Sequence, residues 1–251
     1  MAEEIITVAD FGSIVRGTGD GLWVPASFPT PDGSPWVYQE PGAVVQVQND
    51  TLSVAAVPFT RSHDAVQFFD NAKHMYFSTR PFAAPQGGAL TLERELSARI
   101  LGGKHGDLYD GFVSFHLMDL AHGVALNFFV GNEEFATVYA HLPFPGAVAP
   151  RREAGPTFFA WFEEHRGMTK PGEFHRYRIR YDRAEDSLTW SFEDQEVKKE
   201  TGVGDLGPFT LAMGIMTEKD IVPGKGSVSC HGQGAAGRWR NIQAVVETPG
   251  A

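Results

Sequence analysis

Two histidines set the chemistry this sequence could carry. His116 and His141 sit in stretches that alternate strictly between two classes of side chain. Histidine is the residue whose ordinary pKa best suits proton transfer near neutrality. Glu95, in a third alternating stretch, could orient or charge one of them. In Gly111–Leu120, Val113, Phe115 and Leu117 share one face, and Ser114, His116 and Met118 the other. In Val124–Val130, Val124, Leu126, Phe128 and Val130 oppose Ala125, Asn127 and Phe129. In Thr137–Leu142, Val138, Ala140 and Leu142 oppose Thr137, Tyr139 and His141.

A period of two places alternate residues on opposite faces of a sheet. Each stretch then has one wholly apolar face and one that mixes polar, aromatic and sulfur-bearing groups. If the strands are neighbours, the mixed faces gather Glu95, His116, Asn127, Tyr139 and His141 into one patch. The expected site uses His116, His141 and Glu95 as acid–base groups. Asn127, Tyr139, Phe129 and Met118 would line it, with Lys73 and His74 on the Arg61–His74 loop as its roof. A solvated face more usually carries Lys, Thr and Glu, whereas this composition suits a concave pocket with a few convergent polar groups. The plainer alternative makes each histidine a hydrogen-bonded sheet residue, with Pro143–Gly172 covering the face as core.

Other chemistries find less support. No H-x-H or H-E-x-x-H spacing supports a metal site, and none is expected. Gly17–Gly21 lacks the ligand spacing of a calcium loop. Gly102–Asp110 and Pro223–Ser227 lack the strand–GxxxxGK[ST]–helix context of a phosphate loop. Cys230 and His231 are adjacent, and adjacent strand residues point apart, which argues against a thiolate pair. Glu93 and Glu95 lie two apart on one strand face, a spacing that suits a retaining carboxylate pair on geometry alone. No cofactor is implied.

The elements that must position these residues are strands. The clearest is His175–Val197, where Tyr177, Ile179 and Tyr181 alternate with Arg176, Arg178 and Arg180. After the polar turn Asp182–Asp186, Leu188, Trp190 and Phe192 alternate with Thr189, Ser191 and Glu193. Ala43–Gln48 and Thr51–Val57 read as a hairpin turning at Asn49-Asp50. Ile5–Phe11 reads as a first strand, Val66–Phe69 and Met75–Ser78 as a short pair, and Ala89–Ile100 as a strand whose apolar face Arg94 interrupts. Thr157–Glu164 could be a short helix or an edge strand. Phe209–Glu218 is a buried strand, and Arg238–Val246 closes the sheet. Phe115, Leu126, Phe128, Tyr177, Ile179, Trp190 and Met213 are expected between two sheets.

The pattern H-x-Y-x-I-x-Y-D followed by L-x-W-x-F-x-D resembles the late hairpin of concanavalin A-like jelly rolls, the lectin and glucanase superfamily. There the second strand reads W-x-x-D-G, whereas here Gln195 follows Asp194. The resemblance implies an all-β, two-sheet antiparallel β-sandwich with long loops and little helix. The chain is similar to a bacterial branch of that superfamily. The glucanase catalytic strand carries E-x-D-x-x-E, and the matching positions here hold Ala125, Asn127 and Val130. Glycoside hydrolysis ordinarily needs two carboxylates facing one bond, so the resemblance carries over the fold and not that mechanism.

Length and composition agree with one β domain over residues 1–251. With 28 Gly and 16 Pro the chain suits many turns. A net charge of −10 argues against a nucleic-acid groove and an anionic membrane surface. No apolar run reaches bilayer length, and the N-terminus lacks a basic region before an apolar one, so a cytoplasmic protein is expected. Three functions remain: a cofactor-independent acid–base enzyme of small-molecule metabolism, performing cyclisation, isomerisation or hydrolysis; a lectin-like carbohydrate-binding module or divergent glycoside hydrolase; and an interaction protein. The expected partner is a small-molecule or sugar-containing ligand.

Overall fold

The computed structural model describes residues 2–8, 10–16, 21–29, 33–63, 71–144, 158–219, 222, 224–225 and 227–249. Its strands begin with β1 (Ala2–Thr7), β2 (Trp23–Pro25), β3 (Ser27–Pro29), β4 (Pro35–Val37), β5 (Val44–Gln48) and β6 (Thr51–Ala56). Next come β7 (Ser62–His63), β8 (Asn71–Ser78), β9 (Ala89–Leu101), β10 (Phe112–Asp119), β11 (Val124–Val130) and β12 (Glu134–His141). The last are β13 (Phe159–Arg166), β14 (Phe174–Asp182), β15 (Ser187–Phe192), β16 (Gln195–Thr201), β17 (Thr210–Met216) and β18 (Gly234–Thr248). The one α-helix among the described residues is the five-residue Gly12–Arg16, and no helix is long and apolar enough to cross a membrane.

Two eight-stranded antiparallel sheets face each other. The first runs β16-β15-β14-β9-β18-β6-β5, with β1 also on β18. The second runs β13-β12-β11-β10-β17-β8-β2, with β7 on β8. The expected two-sheet antiparallel sandwich is therefore the observed one. Phe115, Leu126, Phe128 and Met213 from the second sheet meet Tyr177, Ile179 and Trp190 from the first in one buried cluster. Phe128 lies edge-on to Tyr177 at 5.0 Å, and Phe135 stacks on Phe192 at 4.8 Å.

Local sequence explains several of these elements. Asn49 and Asp50 both take positive φ, 49° and 55°, the pair of left-handed residues that a two-residue hairpin needs to match strand twist. The Asp182 carboxylate accepts from the Ala184 and Glu185 N–H groups and fixes the β14–β15 turn. Arg94 does break the apolar face of β9. It is 1% exposed, its guanidinium lies over the Phe115 ring, and its three nitrogens have no hydrogen-bond partner among the described residues.

One boundary differs from the sequence reading. The first strand is Ala2–Thr7 rather than Ile5–Phe11, because Ile5 and Ile6 pair with Val245 and Ala244 while Val8 turns inward to full burial. Of the two alternatives read for Thr157–Glu164, a short helix or an edge strand, the structure shows the edge strand, β13 on β12. Val66–Phe69 lies outside the described residues.

Candidate functional site

The second sheet has an outer face as well as a core face. Register fixes which residues share it, because directly opposed residues in an antiparallel pair point the same way. One row reads Phe77, Ala212, His116, Asn127, Val138 and Phe162 from β8 to β13. The next reads Met75, Gly214, Ser114, Phe129, Ala136 and Glu164. Met118 and Lys73 lie on the same face, beyond either end. The middle of the floor is nearly closed, with His116 and Asn127 each 5% exposed.

Small residues dominate this floor: Ala125, Ala136, Ala140, Ala212 and Gly214. A Cβ at Gly214 would stand 2.4 Å from the His74 carbonyl oxygen, so no side chain fits there. Aromatics form the walls. The hairpin β3–β4 lies over the β8 side, where Phe28 packs on Phe77, Tyr38 and Phe144. On the other side Phe162 meets Tyr109 at 5.4 Å and Phe129 at 6.2 Å.

His116 is held at both nitrogens. Nδ1 is 2.7 Å from the Asn127 side-chain oxygen and Nε2 is 2.8 Å from the Ser114 hydroxyl. Burial pushes the His116 pKa down to about 3, so the ring is neutral and holds one proton. The arrangement that satisfies every group has Nδ1–H donating to Asn127 and Nε2 accepting from the Ser114 O–H. That hydroxyl also lies 3.1 Å from the Gly214 carbonyl oxygen, the longer of its two contacts. The Asn127 N–H donors are not used by the ring. Lys73 is half-buried with its ammonium 5.6 Å from the centre of the Tyr38 ring. Burial lowers its pKa, and the nearby Glu218 carboxylate opposes that shift.

The expected acid–base group does not assemble. Tyr139 and His141 point into the space between the sheets, where both are fully buried. His141 Nε2 is 3.1 Å from the Tyr139 hydroxyl, and the imidazole stacks on Phe159. The cleft face of β12 belongs to Glu134, Ala136, Val138 and Ala140, the reverse of the assumed parity. Glu95 lies on the other sheet altogether, on its outer face, where it accepts from Arg240 Nε and Asn241 Nδ2 at 2.7 Å each. Glu93 is beside it and accepts from Arg178 Nε at 2.8 Å. His74 faces the core: its Nδ1 accepts from the Glu40 backbone N–H, so its Nε2–H donates to the Tyr76 hydroxyl. Burial holds the His74 pKa near 4. Of the nine residues singled out in the sequence, His116, Asn127, Phe129, Met118 and Lys73 share the cleft face. Glu95, Tyr139, His141 and His74 do not.

Other ionisable groups stand at the Lys73 end of this face. Glu134 pairs in register with Arg166 on β13. Its pKa is raised by burial and by the neighbouring Glu133. The Tyr109 hydroxyl donates to Glu164, and burial with that carboxylate drives the phenol pKa well above its ordinary value. Sequence reading passed over them because Tyr109 lies in a Gly-rich loop, and β13 has no clear alternation. The only available signal was the EEHR run after an aromatic cluster. Among the described residues no group of three or more His, Cys, Asp or Glu could hold a metal ion.

Two facing eight-stranded antiparallel sheets define a concanavalin A-like jelly-roll fold. The chain belongs to the family of unknown function DUF6081, whose model matches residues 10–248. No curated protein matches the sequence. Among solved structures, a Bacillus licheniformis β-glucanase superimposes with a TM-score of 0.55 at 10% identity, covering 99% of each chain. An endo-1,3-β-glucanase from Streptomyces sioyaensis gives 0.52 at 12% identity, over 91% of this chain and 90% of that one. A sialidase gives 0.50 at 13% identity, where 97% of this chain spans 18% of the sialidase.

Proposed function

We propose that the protein binds a carbohydrate on the outer face of the second sheet, with His116 and Asn127 beneath the ligand and Tyr109, Phe162 and Phe77 as its walls. The observation that carries this reading is the floor itself. It joins small side chains to a fixed, neutral His116–Asn127 pair, between aromatic walls. Sugar rings offer apolar faces to aromatic walls and hydroxyl groups to amides, a combination this floor provides. Structural neighbours that include two glucanases support a carbohydrate ligand by analogy of fold.

The floor opposes hydrolysis by paired carboxylates, since β11 presents Ala125, Asn127 and Phe129 to the cleft. His116 is also a poor proton donor or acceptor near neutrality, because its pKa is about 3. A second reading, an acid–base enzyme acting on a saccharide or small metabolite by isomerisation, cyclisation or hydrolysis, rests on Glu134. Its raised pKa keeps a carboxyl proton to higher pH than usual, which suits a general acid.

A glycan array followed by calorimetry on the strongest ligand tests the binding reading. His116→Ala and Asn127→Ala should each weaken binding roughly 10–100-fold, the scale of one or two lost hydrogen bonds. Glu95→Gln and His141→Ala should leave affinity unchanged. Absence of binding to any glycan, or equal losses at Glu95, would overturn it. Turnover of laminarin or lichenan that vanishes with Glu134→Gln would favour the enzyme instead.

A further inference from the structure

The two sheets end in strands of different character. The first sheet ends in β16, QEVKKET, whose Lys198 pairs with Glu163 and Glu200, and in the five-residue β5. Charges and short length are the usual guards against edge-to-edge pairing. The second sheet ends in the three-residue β2 on one side. On its other side is β13, eight residues long, with an aromatic N-terminal half and Glu163, Glu164 and Arg166 confined to its C-terminal half, and among the described residues no strand pairs with its outer edge. Phe158, Trp161 and Phe162 are 45%, 38% and 37% exposed there. A long edge that keeps large aromatic side chains in water is a template for another strand.

We infer that β13 pairs with β13 of a second copy of this chain, antiparallel about a two-fold axis through Phe162. The sequence of the edge argues for this occupant and this register. A two-fold axis perpendicular to a sheet keeps each face on its own side, so paired residue numbers must sum to an even number. Centring on Glu163 or Glu164 sets like carboxylates directly opposite each other, which is destabilising, and centring on Ala160 or Trp161 pairs fewer of residues 158–166. Centring on Phe162 sets the two phenylalanines together, Phe159 against His165, and Phe158 against Arg166, a cation facing an aromatic ring. Ala160 then faces Glu164 and Trp161 faces Glu163, so each acid meets an uncharged residue.

The pairing has a consequence for the cleft. The row Phe77–Ala212–His116–Asn127–Val138–Phe162 would continue through the partner's Phe162 and run on in reverse order. Both outer faces would lie on one side of a continuous sheet. With strands about 4.8 Å apart, the two His116 side chains would stand roughly 34 Å from each other. The inference does not depend on what either face binds.

Sedimentation or light scattering of the full chain should show a dimer at concentrations up to about 0.1 mM, a weak but specific range. Phe162→Lys should shift it to monomer with an unchanged circular dichroism spectrum. Register is read by cross-linking in a Cys230→Ser background. Phe162→Cys should form an intermolecular disulfide on mild oxidation, since directly opposed strand residues fall within the Cα separation a disulfide spans. Glu163→Cys should not. A monomer at all concentrations, a dimer that survives Phe162→Lys, or cross-linking at Glu163 in place of Phe162 would each overturn the inference.

Discussion

The two outer faces of the sandwich are built on opposite plans. On the first sheet, β9 and β14 set Glu93 opposite Arg178 and Glu95 opposite Arg176, while β18 adds Arg240 against Glu95. Arg180 joins Glu247 and Asp182, and Phe174 lies between the guanidiniums of Arg238 and Arg240, at 4.5 and 4.0 Å. Charge there is matched strand by strand and half in water. On the second sheet every residue of β10 and β11 is buried on both faces, and the polar groups are few and fixed. The first face keeps its sheet soluble; the second is a second core with a partly open rim. A ligand displacing water gains little on the first, where Arg178, Arg180 and Arg240 already have carboxylate partners, and more on the second.

Replacing one large side chain on the second face and one between the sheets measures how each is packed. Phe129→Ala removes a ring stacked on Phe112 at 4.2 Å and should cost about 3–5 kcal/mol in denaturant unfolding, as a core deletion does. A loss well under 1 kcal/mol would mean that the second face is not packed. Arg94, between the sheets, should behave in the opposite sense. Among the described residues its charge has no carboxylate partner, so Arg94→Met should stabilise the fold by about 1–4 kcal/mol, and destabilisation would show that its stacking on Phe115 outweighs desolvation.

Acid separates the faces by pH. His116 and His74 are neutral when folded, with pKa values near 3 and 4 against 6.5 in the unfolded chain. Protons then bind the unfolded state in preference. This stability is complete above about pH 6.5 and is lost as pH falls, at roughly 1.4 kcal/mol per unit for each ring. The Glu95 carboxylate, whose partial burial acts to raise its pKa but whose hydrogen bonds to Asn241 and Arg240 bring it below the ordinary value, contributes above the ordinary carboxylate range and is lost only at more acidic pH. Stability measured between pH 6.5 and 4.5 should therefore slope mainly through the second sheet, and His74→Gln should flatten it. The smallest effect is Glu95→Gln at neutral pH, within about 1 kcal/mol for a partly exposed ion pair. A larger loss would make the charged face structural in its own right.

The same contrast explains what the sequence made legible. The β14–β15 hairpin and the β5–β6 turn were readable because one side of each strand is polar or solvated, so alternation names the buried side. In β12 both sides are buried. Val138 and Ala140 looked like the core face, and Tyr139 and His141 like the cleft face, because the test compared apolar with polar. The larger aromatic groups fill the space between the sheets, and the small residues sit under the cleft. Glu95 failed for another reason. Its side of β9 was read correctly, but β9 pairs with β14 and β18, far away in sequence, and nothing local tells which sheet a strand joins. Tyr109 and Glu134 stand in a single 3-10 turn (Leu108–Asp110) and at a strand end, where neither period nor motif marks them.

The fifteen-residue strand β18 binds β9 along one edge and, on the other, β6 and then β1. The middle of the first sheet is thus laid down by residues 234–248, after almost all of its neighbours have been synthesised. Until they leave the ribosome, β9, β6 and β1 have no common partner and expose unpaired strand edges. Assembly of this sheet therefore waits on pairings of high contact order, the kind that forms slowly and leaves strand edges open to aggregation in the meantime.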